Sequence, residues 1–116
     1  MPNRNYSRVS EDVKRELSAI LRELKDPRIP EMASVTKINL TPDYKYCKIY
    51  VSLFTDDEGI KKDAVNALTN AAGHMRRELG RRVDLRFIPQ LSFEADDSIA
   101  YGARMSKIIN ELDIEK

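Results

Sequence analysis

Arg76, Arg77, Arg81 and Arg82 place four guanidinium groups within seven residues. A guanidinium keeps its charge at any physiological pH, pairs two phosphate oxygens at once and stacks on unpaired bases, so the chemistry this run suits is RNA binding. Just before it, Ala71-Ala72-Gly73 carries no bulky side chain, which would let a phosphate backbone come close. Lys61 and Lys62 fall near the expected start of a helix, where cations oppose the macrodipole. That points to a phosphate partner, although the preceding Asp56-Asp57-Glu58 can compensate them. Lys25 and Arg28, in the loop after the first helix, complete the candidate RNA-binding set.

Catalysis has far less to work with. Cys47 and His74 are each the sole residue of their type, so neither a soft-ligand metal site nor a Cys/His nucleophile pair is readily assembled. Asp56, Asp57, Asp96 and Asp97 offer carboxylates without a base or metal-ligand motif beside them. The sequence therefore predicts no enzyme, no metal, no cofactor and no small-molecule substrate. His74 reads as an ordinary surface histidine, and Cys47 as a small buried hydrophobe.

The net charge of +1 hides a segregation. Residues 71–86 carry five arginines against Glu78 and Asp84, whereas residues 87–97 carry three carboxylates and no cation; residues 1–28 carry seven cations and five anions. Local fields rather than the sum attract a polyanion. No apolar run exceeds three residues and the start lacks the apolar core of a signal peptide, so a membrane span is not expected and the cytoplasm is. The 116 residues suit one domain, expected to act as a monomer.

The elements that must position the arginines follow from periodicity. Val9, Val13, Leu17, Ile20, Leu21 and Leu24 predict a helix over 8–25, with Ser7 as N-cap and Pro27 barring continuation. Arg8, Arg15 and Arg22 recur on its outer side, where pairing of Arg15 with Glu11 and of Arg22 with Asp26 is expected. Strands at 35–40 and 46–54 flank the turn Thr41-Pro42-Asp43-Tyr44 and should form a hairpin. Cys47, Ile49, Val51 and Leu53 face its core side. Tyr46, Lys48 and Tyr50 face outward, either as a stacking platform or packed under a C-terminal helix. A helix then starts after Asp56-Asp57, with Ile60, Ala64, Leu68 and Ala71 or Ala72 as its core stripe, and meets a second helix at the Gly73 kink. Met75 and Leu79 continue the stripe until Gly80 stops it, leaving Arg81 and Arg82 in a turn. Alternation predicts a third strand over 83–94, with Pro89 marking an edge or bulge. Asp97 or Ser98 would cap a last helix carrying Tyr101, Met105, Ile108 and Leu112.

The order α-β-β-α-α-β plus a C-terminal helix is that of the type II KH domain, an α+β fold with a three-stranded sheet covered on one face by helices. The GXXG loop of KH modules is missing, and Ala71-Ala72-Gly73 stands at the junction instead. That stretch resembles the interhelical kink of the bacterial ribosome-binding factor A family. So do Lys25-Asp26-Pro27-Arg28, Lys48-Ile49-Tyr50-Val51, Leu85-Arg86-Phe87-Ile88-Pro89-Gln90-Leu91 and Asp97-Ser98-Ile99, over roughly residues 4–112. The resemblance implies a non-enzymatic assembly factor that binds the immature 30S small ribosomal subunit. It would promote maturation of 16S rRNA, including 5′-end processing, and leave the finished subunit. A general KH-type single-stranded RNA binder is the alternative; a protein-interaction module would differ in binding without strong salt dependence.

Overall fold

The burial of one face of a sheet decides the architecture. In the computed structural model, which describes residues 2–96 and the side chains of 6–96, the elements are α1 (Pro2–Glu23), β1 (Ser34–Leu40), β2 (Tyr46–Ser52), α2 (Glu58–Asn70), α3 (Ala72–Arg82) and β3 (Gln90–Ala95). β2 is central: β1 pairs with it antiparallel and β3 parallel, in the order β1-β2-β3. This is an α+β fold with a mixed three-stranded sheet, consistent with the type II KH arrangement.

Strand β2 shows why the helices lie on one side. Cys47, Ile49 and Val51 are buried, whereas Tyr46 and Lys48, of the opposite parity, are exposed. Onto the buried side pack Val13, Leu17, Ile20 and Leu21 of α1, Ala64 and Leu68 of α2, and Met75 and Leu79 of α3. Burial of this set, at about 1.5–3 kcal/mol for each large aliphatic, is the main favourable contribution. Tyr6 ties α1 to the sheet by donating its hydroxyl to the Leu40 carbonyl, and its ring tilts against Tyr44 at a centroid distance of 5.8 Å. The hairpin turn is set by Asp43, whose Oδ1 accepts from the Lys45 amide at 3.0 Å and from the Thr41 hydroxyl at 2.7 Å. Tyr44 accordingly takes a left-handed φ of 63°.

Several sequence expectations shift. Helix α1 begins at Pro2 rather than after a Ser7 cap, as Pro suits the first helical position. Arg15 pairs with Asp12 at 2.9 Å, and Asp26 with Arg28, instead of the partners expected. A bulge between Val35 and Lys37 breaks the β1 alternation and frees the Thr36 hydroxyl to reach the Tyr50 carbonyl and the Asp96 carboxylate. In α2, capped by Asp57 Oδ1 on the Ile60 amide at 3.1 Å, Ile60 is 43% exposed and it is Lys61 that turns inward.

Gly80 does not stop α3, which runs on to Arg82 with Val83 as its C-cap. Residues 83–89 are not a strand, and β3 starts only at Gln90. The reason is a three-part lock. The Ile88 side chain occupies the space over Gly80, where a methyl group would stand 2.5 Å from Ile88 Cδ1. The Arg76 guanidinium takes the Ile88 and Pro89 carbonyls, and Pro89 brings no N–H to a ladder. Parallel pairing then starts with the Gln90 amide on the Lys45 carbonyl at 2.9 Å. The expected C-terminal helix with Tyr101, Met105, Ile108 and Leu112 lies outside the described residues.

Candidate nucleic-acid interface

Helix α3 is amphipathic in the simplest way. Met75 and Leu79, four apart, are buried, so the arginines project from its other sides. Its start is the junction Ala71-Ala72-Gly73. Ala71 closes α2 through its amide, bonded to the Ala67 carbonyl at 3.0 Å, and opens α3 through its carbonyl, bonded to the Met75 amide at 2.9 Å. No side chain caps this helix start. The kink is thus where expected, but Gly73 does not work as expected. No glycine among the described residues has a left-handed φ, and a Cβ on Gly73 would meet nothing within 4 Å. Gly73 therefore supplies neither an unusual backbone angle nor a close helix approach; it leaves open surface over the first turn, beside exposed His74. The glycine that does permit a close approach is Gly80.

The four arginines divide into two kinds. Arg76 lies half-buried and donates through Nε to the Pro89 carbonyl at 3.0 Å and through Nη2 to the Ile88 carbonyl at 3.1 Å. Arg82 donates to Glu23 of α1 at 2.6 Å and to Glu78 at 3.1 Å, joining the ends of α1 and α3. That bond to Arg82 is the chief cause holding the Glu23 carboxyl below its ordinary range, and the same contact raises Arg82. Both arginines are committed to intramolecular partners. Arg81, by contrast, leaves 78% of its side chain exposed and meets Glu78 only at 3.4 Å. Arg77 is exposed and makes no ion pair or hydrogen bond among the described residues. Free positive charge on this helix is therefore concentrated in Arg77 and Arg81.

The other basic candidates are scattered. Lys61 is only 8% exposed and lies 3.3 Å from Glu58, which takes it out of the accessible surface expected for it. Lys62 is exposed beside it. Arg28 is exposed but gripped by Asp26, through Nε at 3.1 Å and Nη2 at 2.9 Å. This hydrogen bonding leads the causes that lower Asp26 and raise Arg28. Lys25 is exposed on the rim of a groove of about 600 Å³ between the end of α1 and the loop to β1. On the outer sheet face Tyr46 is 56% exposed, Lys48 Nζ lies 3.5 Å from Glu94, and Lys37 Nζ sits 4.6 Å over the Tyr50 ring. The C-terminal segment expected to pack here lies outside the described residues.

The partners of Arg82 and Arg81 had one legible signal, since Glu78 precedes them by four and three residues. Those of Arg76 had none. Phe87 also differs from the sequence expectation: the alternation places it within the third strand, yet it lies in the loop between α3 and β3 and is 50% exposed. Cys47 is buried as expected, and burial pushes its thiol up to about 12. Among the described residues no three His, Cys, Asp or Glu side chains group as metal ligands, and no helix is long and apolar enough to cross a membrane.

Comparison with known proteins shows what this chain is similar to. Over 111 residues the chain is 49% identical to ribosome-binding factor A of Caldicellulosiruptor bescii, covering 94% of this chain and 84% of that one. The crystal structure of ribosome-binding factor A from Thermus thermophilus superposes with a TM-score of 0.67 at 30% identity, covering 77% of this chain and 93% of that one. A homology model of the Thermus thermophilus factor, fitted into the cryo-electron microscopy map of its complex with the 30S subunit, superposes with a TM-score of 0.65 at 30% identity. It covers 78% of this chain and 93% of the other. The profile of the ribosome-binding factor A family matches residues 5–109, which include every element from β1 to β3, and the chain belongs to that family.

Proposed function

We propose that this chain binds the immature 30S small ribosomal subunit as a monomer and promotes maturation of its 16S rRNA, including processing of the 5′ end, without enzymatic activity. The observation that carries the reading is the likeness to the Thermus thermophilus factor fitted into a 30S complex, which extends over 78% of this chain. The physical support is the outward face of α3, where Arg77 and Arg81 stand free of strong internal partners next to the smooth surface over Gly73. A protein with this surface acts by binding one RNA conformation better than another, since a ligand shifts an equilibrium only by its difference in affinity. Transient action on the subunit then means tighter binding to the immature state than to the finished one.

Sedimentation tests this directly. The protein should travel with free or immature small subunits and be scarce on translating ribosomes. Cells lacking it should accumulate 16S precursors, more so in the cold, where misfolded RNA helices rearrange slowly. Equal occupancy of translating ribosomes, or normal precursor levels after deletion, would refute the reading. Equally tight binding to any single-stranded RNA would favour the general KH-type alternative.

A further inference from the structure

Phe87 is a large aromatic side chain, half exposed, in the loop between α3 and β3, next to the end of that loop that α3 holds. Its neighbour Ile88 is anchored over Gly80, and the carbonyls of Ile88 and Pro89 are both held by Arg76. Gly80 lies four residues after Arg76 and three after Arg77, so all three share one side of α3. The lock that seats Ile88 on Gly80 therefore also restrains the backbone of Phe87, one residue away, near the side of α3 that carries Arg76, Arg77 and Gly80, with exposed Arg86 preceding it. A fixed loop presenting an aromatic ring to solvent loses little freedom when something stacks on it, which is the preorganisation a binding site needs.

Resting on the function proposed above, we propose that Phe87 is a stacking platform for one unpaired RNA base, with Arg77 holding an adjoining phosphate and Arg76 acting as the positioning residue of the loop. The charge around the ring favours this occupant over an apolar protein surface. Arg77 has no anionic partner among the described residues, and Glu78 is engaged by Arg81 and Arg82. An exposed aromatic ring on a loop anchored to a helix that bears an uncompensated guanidinium suits a nucleotide, which offers both a π-face and a phosphate.

The test uses the full chain and purified immature 30S subunits, with thermal melting of each variant as a fold control. Phe87→Ala should weaken subunit binding by roughly 5- to 150-fold, the range for loss of one base stack, without changing the slope of log affinity against log salt. Phe87→Tyr should retain binding, and Phe87→Leu should lose nearly as much as Phe87→Ala. Because the chain has no tryptophan, Phe87→Trp introduces a single indole that can be excited selectively over the five tyrosines, and its emission should be quenched by an oligoadenylate. Wild-type affinity in Phe87→Ala, full rescue by Phe87→Leu, or no quenching in Phe87→Trp would each overturn the site while leaving subunit binding standing. Failure of the wild-type chain to bind the subunit would overturn both.

Discussion

Arg76→Ala should destabilise the fold, although a sequence reading would treat Arg76 as one more phosphate contact. The side chain makes two charge-assisted bonds, a part-buried one to the Pro89 carbonyl at 3.0 Å and an exposed one to the Ile88 carbonyl at 3.1 Å. Bonds to charged groups contribute about 1.5–3 kcal/mol when shielded, and water replaces most of the exposed one, so the expected loss is about 1–3 kcal/mol. For a domain of this size that lowers Tm by roughly 4 °C per kcal/mol. Arg76→Lys should recover only part of the loss, because a single ammonium cannot present the planar fork that spans two successive carbonyls. Urea unfolding followed by circular dichroism measures this as a lower midpoint at constant slope. An Arg76→Ala protein that unfolds at the wild-type midpoint would refute the assignment of Arg76 to the loop.

Gly73→Ala should be neutral or stabilising by up to about 1 kcal/mol, since the site is helical and open; a clear loss in thermal melting would restore a steric role for this glycine. Acid should destabilise the protein through Glu23, Asp26 and Asp43, whose carboxyls are held below their ordinary values of 4.5, 3.8 and 3.8 by bonds chiefly from Arg82, Arg28 and Thr41. The unfolded chain binds more protons there, so this contribution is complete above about pH 4.5 and fades as pH falls through the folded values; a midpoint independent of pH between 5 and 3 would contradict it. The Cys47 thiol, buried and pushed up to about 12, should react with alkylating reagents at pH 8 only at the rate of unfolding, and prompt labelling of the native protein would disprove its burial.

What the sequence disclosed was the part governed by local periodicity. The α1 stripe, the β2 alternation and the α2–α3 junction are legible because each buries one face, and burial leaves a period. What it concealed was decided by contacts across the chain. Val83, Leu85 and Phe87 alternate like a strand, yet Val83 caps α3 and Phe87 is half exposed, because β2 begins only at Tyr46, opposite Gln90, and Arg76 holds the Ile88 and Pro89 carbonyls just before that ladder starts. Gly80 reads as a helix stop, but its role is to admit Ile88. The arginine cluster was visible as charge. Its division was not, since Arg82 finds Glu23 across 59 positions and Arg76 finds its carbonyls twelve and thirteen residues on. Lys61 reads as a phosphate contact because it opposes the macrodipole near a helix start, whereas the helix phase turns it inward.

We propose that α3 meets rRNA through Arg77, which has no ion pair among the described residues, and through Arg81, held only loosely by Glu78, while Arg76 and Arg82 hold the fold. The most direct measurement is the affinity of Arg77→Gln for immature 30S subunits over a range of salt concentrations, beside the wild-type chain. Stability should stay within about 0.5 kcal/mol of wild type, as for other exposed positions. Affinity should drop, and the slope of log affinity against log salt should become shallower by roughly 0.7–0.9, because one phosphate fewer releases its counterion. An Arg77→Gln protein with wild-type affinity and an unchanged slope would contradict the account and leave α3 an ordinary solvated helix.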